Sequence, residues 1–188
     1  MNPAINPYRS LEEALKKAIQ DVPDFPKEGV VFKDLSPVWA NPHLRGDAVH
    51  AVTQWIQSTG SMPTAIAGIE SRGFLLGMSM ADQLKLPFIA LRKEGKLPGP
   101  TLRQSYALEY GSAVLECQTG AFRSEDRVLI HDDVLATGGT AEAAAALVEC
   151  GGAKVWGFSF LMHLTFLNGM ERLRELSPGT RFQALVTA

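Results

Sequence analysis

The chain has 188 residues, 46% apolar and 20% charged, with a formal net charge of −2. That length suits a single domain with a full core, and the composition is that of a soluble globular protein rather than a disordered one. The lack of a basic excess argues against sequence-independent nucleic-acid binding. There is no apolar run of the roughly 18 residues that spans a bilayer, and the start, M-N-P-A-I-N-P, has no basic-then-apolar leader pattern, so no membrane partner and a cytoplasmic location are expected.

In chain order, Ser10 and Glu13 form a capping box that opens an amphipathic helix expected over 10–20, with Leu11, Ala14, Leu15, Ala18 and Ile19 on one face. The stretch V-P-D-F-P-K-E-G-V-V-F-K-D-L-S-P follows. Its prolines confine a short apolar run, 30–32, and the segment reads as a flap rather than a core strand. Asn41 and Pro42 make an N-cap and first-turn pair for a second helix. From Thr64 strands and helices alternate: T-A-I-A-G-I, a helix over 75–84, P-F-I-A-L, a strand over 128–131, a helix over 141–150 closed by Gly151 and Gly152, a strand over 154–161, a helix over 167–176 and a strand over 182–186. This order predicts an α/β fold with a central, mostly parallel sheet flanked by helices, its ligand crevice beyond the carboxyl ends of the strands. Between Arg92 and Gly120 the alternation stops. Arg92, Lys93, Lys96 and Arg103 make that segment basic, and S-Y-A-L-E-Y-G-S-A-V-L-E reads as a hairpin about Gly111. Cys117 and Cys150 have no C-x-x-C spacing and the four histidines are scattered, so free thiols and no structural metal cluster are expected.

The chemistry concentrates in V-L-I-H-D-D-V-L-A-T-G-G-T, 128–140, which runs into A-E-A-A-A-A-L-V-E as strand, turn and helix. Where the turn feeds the helix, the amides of Thr137, Gly138, Gly139 and Thr140 lack intrahelical acceptors and can converge on a phosphate, with the helix dipole adding roughly half a positive charge. Gly138 and Gly139 let the backbone approach closely, and the hydroxyls of Thr137 and Thr140 add donors. Asp132 and Asp133 stand just ahead, where their charge would repel phosphate. They are suited instead to accepting hydrogen bonds from vicinal ribose hydroxyls, holding Mg2+ through water, or facing positive charge on a sugar ring. Neither a Walker A loop nor a dinucleotide fingerprint is present; the alternative is an ordinary strand-turn-helix with glycine in a tight turn.

The D-D-V-L-A-T-G-G-T stretch resembles the phosphoribosyl diphosphate motif of the type I phosphoribosyltransferase family. Taken with V-P-D-F-P-K-E-G-V-V-F-K-D-L-S-P, E-S-R-G-F, R-K-E-G-K-L-P-G and S-Y-A-L-E-Y-G in that order, it resembles the adenine-using members, from about Val22 to Leu161. The resemblance implies a type I phosphoribosyltransferase fold in one domain, 1–188, with a hood or flap over about 22–40 and a flexible loop over about 95–117. It implies transfer of ribose 5-phosphate from 5-phospho-α-D-ribose 1-diphosphate (PRPP) to adenine, giving AMP and pyrophosphate in purine salvage, with Mg2+ and as a homodimer. By resemblance, Ala136, Thr137, Gly138, Gly139 and Thr140 hold the 5-phosphate and Asp132 and Asp133 the ribose. Glu70, Ser71, Arg72, Arg92, Lys93 and Lys96 serve the pyrophosphate, the Glu70–Ser71 peptide being a candidate for the cis form. Val31, Phe32 and Lys33 receive adenine, with Phe25 and Lys27 as weaker candidates. Glu109 is the candidate general acid/base, and Tyr106 and Tyr110 position the loop. No direct protein ligand to Mg2+ is implied; the ion is carried by PRPP or pyrophosphate and water, near Asp132 and Asp133. His131 and Glu28 depart from the family pattern, at an aliphatic and a proline position. Alternatives are another purine or a pyrimidine as acceptor, or a non-catalytic PRPP-binding regulator.

Overall fold

The computed structural model describes residues 7–107 and 111–188. The chain forms two compact units, Met1–Ala51 and Val52–Ala188.

In the first unit, helix α1 (Pro7–Ala18) ends two residues before its expected limit because Gln20 enters a strand. Strands β1 (Gln20–Val22) and β2 (Phe32–Asp34) pair antiparallel, Val22 opposite Phe32. The segment read as a flap is thus a three-residue ribbon, kept short by Pro23 and Pro26. Its connection is closed by Asp24, whose Oδ1 accepts a hydrogen bond from the Gly29 amide at 2.8 Å, and the Phe25–Pro26 peptide is cis. The Phe25 and Phe32 rings meet edge to face, centroids 5.2 Å apart. Helix α2 (Ser36–Ala40) follows, and helix α3 (Pro42–Ser58) opens as the sequence predicts. There Asn41 Oδ1 accepts from the amides of His43 (3.0 Å) and Leu44 (3.2 Å).

The second unit is built on a seven-stranded sheet. Strands β3 (Ala65–Ile69), β4 (Phe88–Lys93), β5 (Thr101–Ala107), β6 (Ser112–Gln118), β7 (Arg127–Leu135), β8 (Lys154–His163) and β9 (Arg181–Thr187) lie in the order β5-β6-β4-β3-β7-β8-β9. β4, β3, β7, β8 and β9 are parallel, and the β5–β6 hairpin adds antiparallel to β4. Helices α4 (Gly73–Leu84) and α5 (Gly139–Cys150) make the crossovers, and α6 (Gly169–Leu176) precedes β9 after a 3-10 turn at Thr165–Leu167. Among the described residues no helix is long and apolar enough to cross a membrane.

Three differences from the sequence reading bear on the site. β7 runs four residues past its expected end because Asp132, Val134 and Leu135 continue to pair with Phe160, Met162 and His163 of β8, so the acidic pair sits on a strand. Arg92 and Lys93 are not loop residues; they close β4, opposite Glu116 and Leu115 of β6. The basic stretch beyond is a hairpin paired in continuous register from Thr101–Gln118 to Ala107–Ser112, longer than the one expected about Gly111.

The core lies between sheet and helix. Ala65, Ala67 and Ile69 of β3 and Val128 and Ile130 of β7 are buried with Ala141, Ala144, Ala145, Leu147 and Val148 of α5, whose short side chains allow close approach to the strands. Gly151 and Gly152 then end α5, Gly152 at φ 87°. On β8, Phe158 is fully buried and stacks on Phe160 (6.4 Å) and on Phe182 of β9 (5.3 Å). Phe158→Ala is expected to lower the unfolding free energy by about 3–5 kcal/mol, read from urea denaturation midpoints at constant slope.

Candidate active site

The carboxyl ends of β3 and β7 assemble the cluster. At the end of β7 the chain turns through 136–138 into α5, with Gly138 left-handed at φ 85° as the N-cap. The first helical bond runs from the Glu142 amide to Gly138 O at 2.9 Å, so the amides before it, at the helix mouth, point outward without an intrahelical acceptor. Asp132, the 136–140 backbone and Phe160 line a pocket of about 70 Å3 there. The structure therefore brings Asp132, Ala136, Thr137, Gly138, Gly139 and Thr140 around one small anion-sized space.

Asp133 is 3% exposed, and its Oδ2 lies 2.7 Å from Arg72 Nε, so the E-S-R-G turn after β3 is tied to the acidic pair on β7. Asp132 Oδ1 accepts from the Asp133 amide at 2.9 Å. Burial and the charge of Asp133 push the Asp132 carboxyl well above the usual range; burial raises Asp133 too, against the opposing pull of Arg72. The close fit of turn to strand depends on Gly73. A Cβ there would stand 2.7 Å from His131 O and 3.1 Å from Asp132 Oδ1.

Glu70, whose side chain is 7% exposed, gathers the cations on the other flank. It accepts from Lys96 Nζ (2.6 Å), the Lys93 amide (2.9 Å) and Arg92 Nε (3.3 Å), and Arg92 also donates to Lys96 O (3.0 Å). Burial alone would raise the Glu70 carboxyl, but Lys96, the Lys93 amide and Arg92 outweigh it and bring the pKa down to about 2. The Glu70–Ser71 peptide is cis. Glu70, Arg92, Lys93 and Lys96 thus form one cluster, with Arg72 turned instead to Asp133. Sequence reasoning missed Glu116, 4% exposed, which accepts from the Gly95 amide (3.0 Å) and Arg103 Nε (3.1 Å) and pins the turn before the hairpin; Arg103 also contacts Glu94. No local signal marks it, since its partners lie 13 and 21 residues away.

Tyr106 stands on β5, and with Gln104 and Ser105 it lines a second cavity of about 230 Å3 against Glu142 of α5 and Arg172 of α6. Val31, Phe32 and Lys33 belong to the first unit, where Val31 is 53% exposed and Lys33 Nζ is 2.7 Å from Asp21 Oδ1. Glu109 and Tyr110 lie outside the described residues. His131 is fully buried, its Nδ1 3.2 Å from Ser159 Oγ, and its Nε2 has no hydrogen-bond partner. It is a packed imidazole against α4, 3.7 Å from where a Cβ on Gly77 would be. Burial pulls its pKa to about 4, the Ser159 contact opposing, so it is neutral at pH 7.

Residues 40–172, well over half of the chain, match the family of the phosphoribosyl transferase domain. The chain is 48% identical to the adenine phosphoribosyltransferase of Frankia casuarinae over 90% of its length and 89% of the relative's, and 46% identical to that of Streptomyces coelicolor over 94% and 96%. Among solved structures, the adenine phosphoribosyltransferase of Rhodothermus marinus aligns with a TM-score of 0.88 at 45% identity, covering 96% of this chain and 99% of that one. The Saccharomyces cerevisiae enzyme, complexed with an imino-altritol bisphosphate and adenine, aligns at 0.87 and 37%, covering 94% and 99%.

The buried imidazole sets an acid limit. His131 titrates near 6.5 in the unfolded chain and at about 4 in the fold, so stability is full above pH 6.5 and is lost as pH falls toward 4. From pH 7.5 to pH 5 the loss from this residue is about 2 kcal/mol, and His131→Val is expected to remove that part of the pH dependence in urea titrations.

Proposed function

The chain belongs to the adenine phosphoribosyltransferases of the phosphoribosyltransferase family, and on that footing we propose how its residues share the reaction. The enzyme transfers ribose 5-phosphate from PRPP to adenine, giving AMP and pyrophosphate. The observation that carries the assignment of roles is the 136–140 cradle with the half-buried Asp132 and the buried Asp133 just upstream on β7.

The 136–140 amides and the hydroxyls of Thr137 and Thr140 hold the 5-phosphate. Asp132 and Asp133 accept hydrogen bonds from the ribose hydroxyls and face the positive charge that develops on the ring as the bond from C1 to pyrophosphate breaks. Ser71 and Arg72, with Arg92, Lys93 and Lys96, grip the departing pyrophosphate, and the Glu70 carboxylate organises the last three rather than touching the anion. That task for the side chain, beside the pyrophosphate role expected of the Glu70–Ser71 peptide, is supported by its three contacts to them. Val31, Phe32 and Lys33 receive adenine; the edge-on Phe25 holds the Phe32 ring, which supports a stacking role. As adenine N9 bonds to C1, Glu109 takes its proton. The β5–β6 hairpin, with Tyr106 and Tyr110, closes as a hood that excludes water, which would otherwise capture the same carbon.

Asp132 lines the cradle pocket, and Asp133 is already engaged by Arg72. A single free carboxyl suits Mg2+ held chiefly by substrate oxygens and water beside Asp132. When bound there, Mg2+ neutralises charge on the diphosphate. A homodimer, as the resemblance implies, belongs to the same reading. A cytoplasmic location is consistent with the free thiols of Cys117 and Cys150.

Incubation with PRPP, Mg2+ and a panel of bases tests the reading: AMP should form from adenine, and preference for hypoxanthine would overturn it. Glu109→Gln is expected to lower kcat by about 10²–10⁴ with folding intact by circular dichroism. Thr137→Ala/Thr140→Ala should raise KM for PRPP roughly 10²- to 10⁴-fold, each of the two lost bonds to a charged group being worth about 1.5–3 kcal/mol net.

A further inference from the structure

Helix α6 packs its first residue against the cradle. Gly169 is buried, and a Cβ built on it would stand 2.1 Å from Ala136 O and 3.0 Å from Gly138 N, both backbone atoms. The reciprocal contact is tight too, since a Cβ on Gly138 would meet Gly169 O at 3.0 Å. Gly169 itself is not at positive φ, so its backbone would accept any residue. Alanine would even be the better helix former. Only the contact with the loop demands glycine.

From these contacts we propose that Gly169 is a positioning residue for the 5-phosphate: the α6 terminus is the stop against which the 136–140 loop is set. The proposal rests on the reading of that loop as the phosphate cradle. Its physical basis is peptide planarity. Ala136 O and the Thr137 N–H belong to one rigid unit, so displacing the carbonyl tilts the amide that is to donate to phosphate, and the Gly138 amide lies against the same glycine. The helix cannot yield instead by sliding outward, because Met170 and Leu173 anchor it in the core at 7% and 1% exposure. Across the loop Arg172 pairs with Glu142 in the first turn of α5, and its Cδ lies 3.6 Å from the Cβ position of Gly138. Asn168 sets the entry angle of α6. It is exposed and left-handed at φ 55°, and its carbonyl accepts from the Arg172 amide at 3.2 Å.

Gly169→Ala should therefore raise KM for PRPP about 10- to 100-fold, the scale of a misplacement near 1 Å, while KM for adenine at saturating PRPP stays within about twofold of wild type because the loop does not hold the base. Gly46→Ala, where a Cβ meets nothing within 4 Å, controls for adding a methyl group to a helical glycine and should change neither. A folded Gly169→Ala protein with wild-type KM for PRPP overturns the proposal, even if its urea midpoint drops, provided Thr137→Ala/Thr140→Ala loses PRPP. If the threonine variant keeps wild-type KM for PRPP, the cradle reading itself fails and the proposal with it. Should Gly169→Ala not fold, Asn168 decides. Asn168→Ala disfavours the left-handed turn and should raise KM for PRPP, whereas Asn168→Gly keeps that turn and should restore it. Equal KM values in those two variants overturn the proposal.

Discussion

Asp133 is buried at the end of β7 beside a second carboxylate, and Arg72 answers its charge across 2.7 Å. Much of the second unit follows from making that contact possible. A buried carboxylate without a counter-charge would take up a proton instead of staying ionised. Arg72 must therefore come to β7 from the turn after β3, which requires the start of α4 to lie almost against the strand. Gly73 leaves no side chain between the α4 terminus and His131 O. Gly77 lets the helix approach Gly68, whose Cα is 3.8 Å from where a Cβ on Gly77 would be. The imidazole of His131 fills the space that remains and stays neutral, so it adds no charge beneath the pair.

The same logic sorts the opposing charges of the cluster. The two aspartates and the open amides of the cradle are separated along one strand and turn, and the cations of β4 and its following turn are held by Glu70 on the far flank. The carboxyl and cationic side chains are thus set in place by the fold before any ligand arrives.

The order of elements and the cradle were legible in the sequence because they depend on local rules: apolar runs make buried parallel strands, Asn41 caps α3, and Gly138 and Gly139 mark a helix mouth. What depended on distant partners was not. Aspartate is a poor strand former, yet Asp132 remains on β7 because β8 pairs with it. Arg92 and Lys93 read as loop residues among glycine and proline, and only β6, more than twenty residues on, shows them to be strand. The expectation at Glu70 concerned its peptide with Ser71; the contacts of its carboxylate, to partners 22 to 26 residues away, left no local mark. Gly169 carries no local mark at all, since its φ is ordinary and its neighbour is a loop more than thirty residues earlier.

The β5–β6 hairpin joins the sheet through two residue pairs, Arg92–Glu116 and Lys93–Leu115, although its own strands pair along their whole length. It is nevertheless fastened along its side: Leu115 and Cys117 are buried in the common core, with Leu102 and Tyr106 packed against it beside α5. Lifting the hairpin therefore tugs on the same helix whose first turn follows the 136–138 bend, so a disturbance on one side of the unit is felt at the other.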